Sequence, residues 1–171
     1  TPDGRRFTVA PSAFDVIPGS PMPYWMSPAI RRLFADFPPL EGHGAEVRQG
    51  LATGDDFRFV RAFWEIDPAG IARSREEIFE DKRWVPFAKG GEYSPFWYDI
   101  HLVVDFERDG ERLRGFAGSV IRNPQYYFRP GLTWPLRTAS GFGPRVLPSG
   151  CSFSNKGNII ATSGDPLTTL A

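Results

Sequence analysis

Glycine (18 residues) and proline (17) recur so often along this 171-residue chain that long regular elements have little room between them. Proline removes a backbone donor and glycine admits turns of positive φ, so the chain must be built from short elements joined by tight turns. The aromatic content points the same way: 15 Phe, 5 Trp and 5 Tyr favour half-buried strands. With 41% hydrophobic residues over this length, there is material for one domain with a real core and hardly for two. The expected fold is a strand-rich, mixed α+β domain with two short helices and long Gly/Pro-rich loops.

Residues 1–26 hold five prolines and little periodicity, and read as an extended linker or arm. Residues 27–171 then read as a single domain, partial and truncated at its C-terminus. Ser27-Pro28 supplies an N-cap and a first-turn proline, and Ile30, Leu33, Phe34 and Phe37 recur at helical spacing, predicting a helix to about Asp36. Ser74 with Glu77 forms a capping box, predicting a second helix over 75–82. Between them, residues 45–66 suggest a strand, a tight turn at Thr53-Gly54-Asp55-Asp56, and a second strand or short helix. Strands are expected at 84–87 and 101–107, the latter turning at Asp109-Gly110 into a hairpin that returns through Leu113 and Phe116. Residues 126–128 and 132–134 read as short extended pieces, and 145–147 and 151–153 as a hairpin around Pro148-Ser149-Gly150.

Net charge is zero but uneven: residues 112–171 carry seven basic groups and only Asp165 on the acidic side, or +6, leaving −6 on the first 111. A basic C-terminal portion suits a polyanion-binding surface, unless folding intermixes the two halves. The single cysteine, Cys151, excludes an internal disulfide and fits a reducing cytoplasm. No apolar run is long enough to span a bilayer. Histidines 43 and 101 stand in no metal-ligand spacing, and no phosphate-loop or cofactor-binding glycine motif follows a strand. Pro38-Pro39-Leu40 reads as a helix stop. No catalytic residue, metal ligand or cofactor site is therefore expected in this segment.

Three stretches interleave glycine, aromatic and polar residues: residues 50–59, 84–93 and 131–134. Glycine lets backbone approach a partner closely, while Lys, Arg and Thr can meet phosphate oxygens. Each stretch alone also fits a tight turn pinned by aromatic packing.

Taken in chain order, residues 47–61, residues 83–93, Ile121-Arg122-Asn123, residues 127–134 and residues 145–153 resemble part of the large N6-adenine DNA methyltransferases, and the resemblance covers roughly residues 46–170. The resemblance is to the region that follows the catalytic domain in PglX-type phage-defence enzymes and in fused type II restriction-modification proteins. One departure stands out: Trp97-Tyr98 is followed by Asp99 where the family continues with glycine. The resemblance implies a much longer parent that binds S-adenosylmethionine and methylates adenine N6, with duplex DNA and the catalytic domain of the same chain as the partners of this segment. The residues it marks for DNA contact are Lys89, Arg129, Arg137, Arg145 and Lys156, with Thr53 and Thr133 adding hydrogen bonds. For Lys89 the alternative is a salt bridge to Asp99 or Glu92. For the segment as a whole the alternative is a structural module that docks the catalytic domain without touching DNA.

Overall fold

The computed structural model describes residues 7–170, with helices, strands and turns as short as the glycine and proline content demands. Two compact units are present, one ending at His43 and one spanning Gly44–Ala171. Ser27, where the sequence suggested that the domain begins, lies inside the first.

In the first unit, the part of the expected arm that is described contains a 3-10 turn at Pro11–Phe14 and buried Phe14 and Ile17. Helix α1 (Pro28–Asp36) forms as its caps predict: the Ser27 hydroxyl accepts from the Ile30 amide at 3.3 Å, and Pro28 opens the first turn. Its apolar stripe is half-exposed. The buried side chain of this helix is Arg31, which donates to the Met26 carbonyl at 2.7 Å and lies over the Phe14 ring.

Among its described residues the second unit holds eight strands in two four-stranded sheets. They are β1 (Ala45–Arg48), β2 (Val60–Ala62), β3 (Trp84–Ala88), β4 (Leu102–Asp105), β5 (Gly131–Thr133), β6 (Arg145–Leu147), β7 (Ser152–Phe153) and β8 (Ile159–Thr162). The first sheet runs β1-β8-β5-β6 and is antiparallel throughout, so the first and last strands of the unit are partners, with Ala45 opposite Thr162. The second runs β2-β4-β3-β7, with β7 parallel to β3. Helix α2 (Asp56–Phe59) precedes β2, α3 (Glu107–Arg114) follows β4, and α4 (Pro166–Leu170) follows β8.

One core draws on both sheets: Val85, Phe87, Val104 and Phe153 from the second meet Leu147 and Ile159 from the first, with Phe59, Phe106 and Leu113 from the connections. Side-chain alternation along β8 sends Ile159 into this core and Ile160 to a smaller cluster with Ala45 and Leu132. Each fully buried phenylalanine removes enough apolar surface from water to contribute about 1.5–3 kcal/mol. Tyr127 sits among them edge-on to Phe106 and Phe153, and its hydroxyl donates to the Arg122 carbonyl at 2.8 Å, which permits its burial.

Three local expectations are corrected. The helix expected over 75–82 is only a 3-10 turn at Glu77–Phe79. The Glu77 carboxylate accepts from the Arg73 amide and pairs with Lys82, and Asp81 at φ 62° ends the turn at once. The hairpin at Asp109-Gly110 is absent. Arg108, Asp109 and Gly110 are three consecutive left-handed residues, after which α3 completes a right-handed turn that buries Leu113. Finally, residues 145–147 and 151–153 do contain strands, but these do not pair: β6 joins β5 and β7 joins β3. The turn between them docks on Phe128, whose amide donates to the Cys151 carbonyl and whose carbonyl accepts from Gly150.

Candidate functional site

The three stretches singled out in the sequence converge on Lys89. Thr53 is buried, and its hydroxyl donates to Asp56 Oδ1 at 2.5 Å. Gly54, at φ 73°, packs against the backbone of Gly118, where a side chain would collide. Asp55 caps α2, accepting from the Arg58 amide at 3.1 Å. This fixes Asp56 at the mouth of the turn, and its carboxylate takes the ammonium of Lys89 from the end of β3. Burial alone would raise the Asp56 pKa, but the bonds from Lys89 and Thr53 outweigh it and hold the carboxyl below its ordinary value of 3.8. The partner of Lys89 is thus Asp56, and neither Asp99 nor Glu92.

Lys156 reaches the same place by a backbone route. The Ser154 amide donates to the Ala88 carbonyl and the Asn155 amide to that of Leu51, both at 2.9 Å. Gly90, at φ 76°, lies so close to Lys156 that a Cβ there would stand 2.5 Å from the Lys156 carbonyl oxygen. Glycine alone allows the two segments to close. A cleft of about 230 Å³ is lined by Thr53, Asp56, Lys89, Asn155 and Lys156. Beside it an open groove of about 460 Å³ is lined by Lys89, Gly91, Arg137, Asn155 and Lys156.

On the other side of the glycine turn, Thr133 and Arg145 stand opposite each other on β5 and β6 and line a cavity of about 160 Å³ with Lys89, Gly90 and Tyr98. Both are buried. The Arg145 guanidinium donates to the carbonyls of Glu92, at 3.0 Å, and Gly90. Of the seven residues marked in the sequence, Arg129 alone stands apart from these cavities. It is exposed, with its guanidinium over the Tyr126 ring. The residues missed are Asp56 and Asn155. Both lie inside or next to quoted motifs, but nothing in a single sequence marks a carboxylate as the counter-ion of a lysine 33 positions away.

Folding does intermix the charge halves. Arg112 is paired with Asp105 and Arg114 with Asp109, so two of the seven late basic groups meet early carboxylates. Exposed among the rest are Arg129, Arg137 and Lys156. On a separate face, Phe63, Trp64 and Trp97 are exposed around a groove of about 630 Å³ that also takes in Pro86, His101 and Cys151. Burial pushes the Cys151 thiol up to about 11, so it stays protonated and inert at neutral pH. No helix among the described residues is long and apolar enough to cross a membrane.

No family model matches the chain. It is 28% identical over 166 residues to the adenine-specific methyltransferase PglX of Lacticaseibacillus casei (strain Zhang), covering 92% of this chain and 14% of that protein. It is 31% identical over 153 residues to the adenine-specific methyltransferase BrxX of Escherichia coli O9:H4 (strain HS), covering 86% of this chain and 12% of that protein. The chain therefore spans only about an eighth to a seventh of the length of these relatives. The resemblance read from its motifs holds over nearly its whole length: this chain matches a segment of the PglX and BrxX adenine-specific methyltransferases.

Proposed function

We propose that the chain is a non-catalytic DNA-positioning segment of a larger, site-specific adenine-N6 DNA methyltransferase or restriction-modification protein. In that reading the catalytic domain elsewhere in the parent binds S-adenosylmethionine and transfers the methyl group, and this segment holds the duplex. The observation that carries it is the open groove lined by Lys156, Arg137 and Lys89 together with Gly91 and Asn155. Ammonium and guanidinium groups on one groove suit the phosphates of a nucleic-acid strand. Arg129 supplies a further exposed cation. Thr53 serves by fixing Asp56, and through it Lys89.

The test is duplex binding by this chain, followed by fluorescence anisotropy over a salt series. Each phosphate contact releases condensed counterions, so Lys156→Ala and Arg137→Ala are each expected to lower the slope of log affinity against log salt by about 0.9. The loss should be alike for cognate and scrambled duplexes, because phosphates carry no base code. Unchanged affinity and slope in both variants, with the fold intact by circular dichroism, overturns the reading.

A second reading, docking of the catalytic domain, is favoured by the aromatic groove, where Trp64 is 68% exposed and Phe63 and Trp97 are about half exposed. Aromatic side chains at this exposure are typical anchors of protein interfaces. Trp64→Ala separates the two: under the docking reading it weakens association with the catalytic domain and leaves duplex affinity at the wild-type value.

A further inference from the structure

Arg145 is only 3% exposed, yet among the described residues its guanidinium pairs with no carboxylate. Two of its five N–H groups go to the carbonyls of Glu92 and Gly90, and its flat face lies 4.3 Å from the centre of the Tyr98 ring. Carbonyl dipoles and a ring face only partly offset the loss of hydration around a buried cation. Burial accordingly lowers the pKa of the group. Directly across the strand pair stands Thr133, whose buried hydroxyl has no hydrogen-bond partner among the described residues. Cross-strand neighbours project to the same face, and here that face is the wall of a single cavity of about 160 Å³. The cavity also takes in the turn at Lys89, Gly90 and Gly91.

A cation without a counter-ion and a donor without an acceptor, side by side on one cavity, call for the same missing group: an anion whose oxygens accept from both. We propose that this cavity binds one phosphate-sized oxyanion, held by the Arg145 guanidinium and the Thr133 hydroxyl. Arginine's planar fork suits such a group. The Lys89 ammonium contributes at longer range, because Asp56 already takes it. One carboxylate on the lining, Asp99, opposes the anion. It is exposed and accepts from the Trp97 indole N–H at 3.0 Å, and it weakens the site without closing it. The inference goes beyond the DNA reading, which needs only the open groove of Lys156 and Arg137, so the two can fail separately.

The test uses the 171-residue chain and inorganic phosphate at constant ionic strength, followed by nuclear magnetic resonance. Saturable shifts of the Arg145 Nε–H and the Thr133 amide are expected, and Thr133→Val, which keeps the shape and removes the hydroxyl, should weaken phosphate by about tenfold. A dinucleoside monophosphate added to the same sample separates the sources. Displacement of phosphate with tighter binding assigns the site to a nucleic-acid backbone, and no displacement assigns it to a free anion. Absence of saturable shifts at Arg145 and Thr133 in the wild-type chain, where no variant has to fold, overturns the proposal. So does equal affinity in a folded Thr133→Val, and the cavity then holds only water.

Discussion

Asp56 and Asp105 are carboxylates of the same unit that respond to acid in opposite directions. Asp56, held below its ordinary value of 3.8 by Lys89 and Thr53 against the effect of burial, binds its proton less tightly folded than unfolded. The stability it contributes is present above pH 3.8 and lost as pH falls through its lower folded value. Asp105, paired with Arg83 and Arg112, is so buried that its pKa rises in spite of the lowering by Arg83. Its contribution is present below 3.8 and lost as pH rises through the higher folded value. Asp56→Asn is therefore expected to flatten the loss of stability on the acid side of pH 3.8, measured as urea midpoints over a pH series. Because the aspartate is about half exposed, the cost at neutral pH should stay below about 1 kcal/mol. At this scale the sequence was partly legible. The residue types around Lys89 were visible as glycine, threonine and lysine, whereas its pairing with Asp56 depends on how two turns far apart in the chain come to face each other.

Among the elements, local chemistry was readable wherever it was sufficient. The Ser27-Pro28 cap placed α1, and the apolar runs placed β3 and β4. What could not be read was pairing and handedness. Asp109-Gly110 looks like a hairpin turn, but the two arginines that grip Asp109, Arg75 at 2.6 Å and Arg114 at 2.7 Å, hold the chain in a left-handed corner instead. Two residues of that corner carry side chains in a region that costs roughly 1–2 kcal/mol each for an L-residue. Arg108 is the one to relieve, since its side chain is exposed and its one ion pair among the described residues, to Glu111, spans 3.9 Å. Arg108→Gly is expected to raise stability by about 0.5–1 kcal/mol, the relief of strain less the added freedom of the unfolded chain. A thermal melt reads the result, and a fall in melting temperature would show that the corner is not strained.

For the molecule as a whole, the strand-rich α+β class followed from composition and patterning, while the division into two sheets did not. Short apolar runs are equally compatible with one sheet or two, and partners such as Phe87 and Ser152 are settled only when the chain has closed on itself. The main core belongs wholly to the second unit. A chain of residues 44–171 should therefore unfold in one cooperative transition, with a denaturant slope scaled to its own buried surface. A broad, non-cooperative melt of that piece would count against an independent core.

The pairing of β1 with β8 has a consequence for larger assemblies. Opposed residues of an antiparallel pair stand about 5 Å apart, so Ala45, at the start of the second unit, stands beside Thr162, after which only the short α4 follows in that unit. A body whose first and last strands are paired can be spliced into a longer polypeptide at a surface loop with little disturbance to its host. It can also have its ends joined by a short linker and be reopened elsewhere, for example at the exposed loop around Ser140, as a circular permutant.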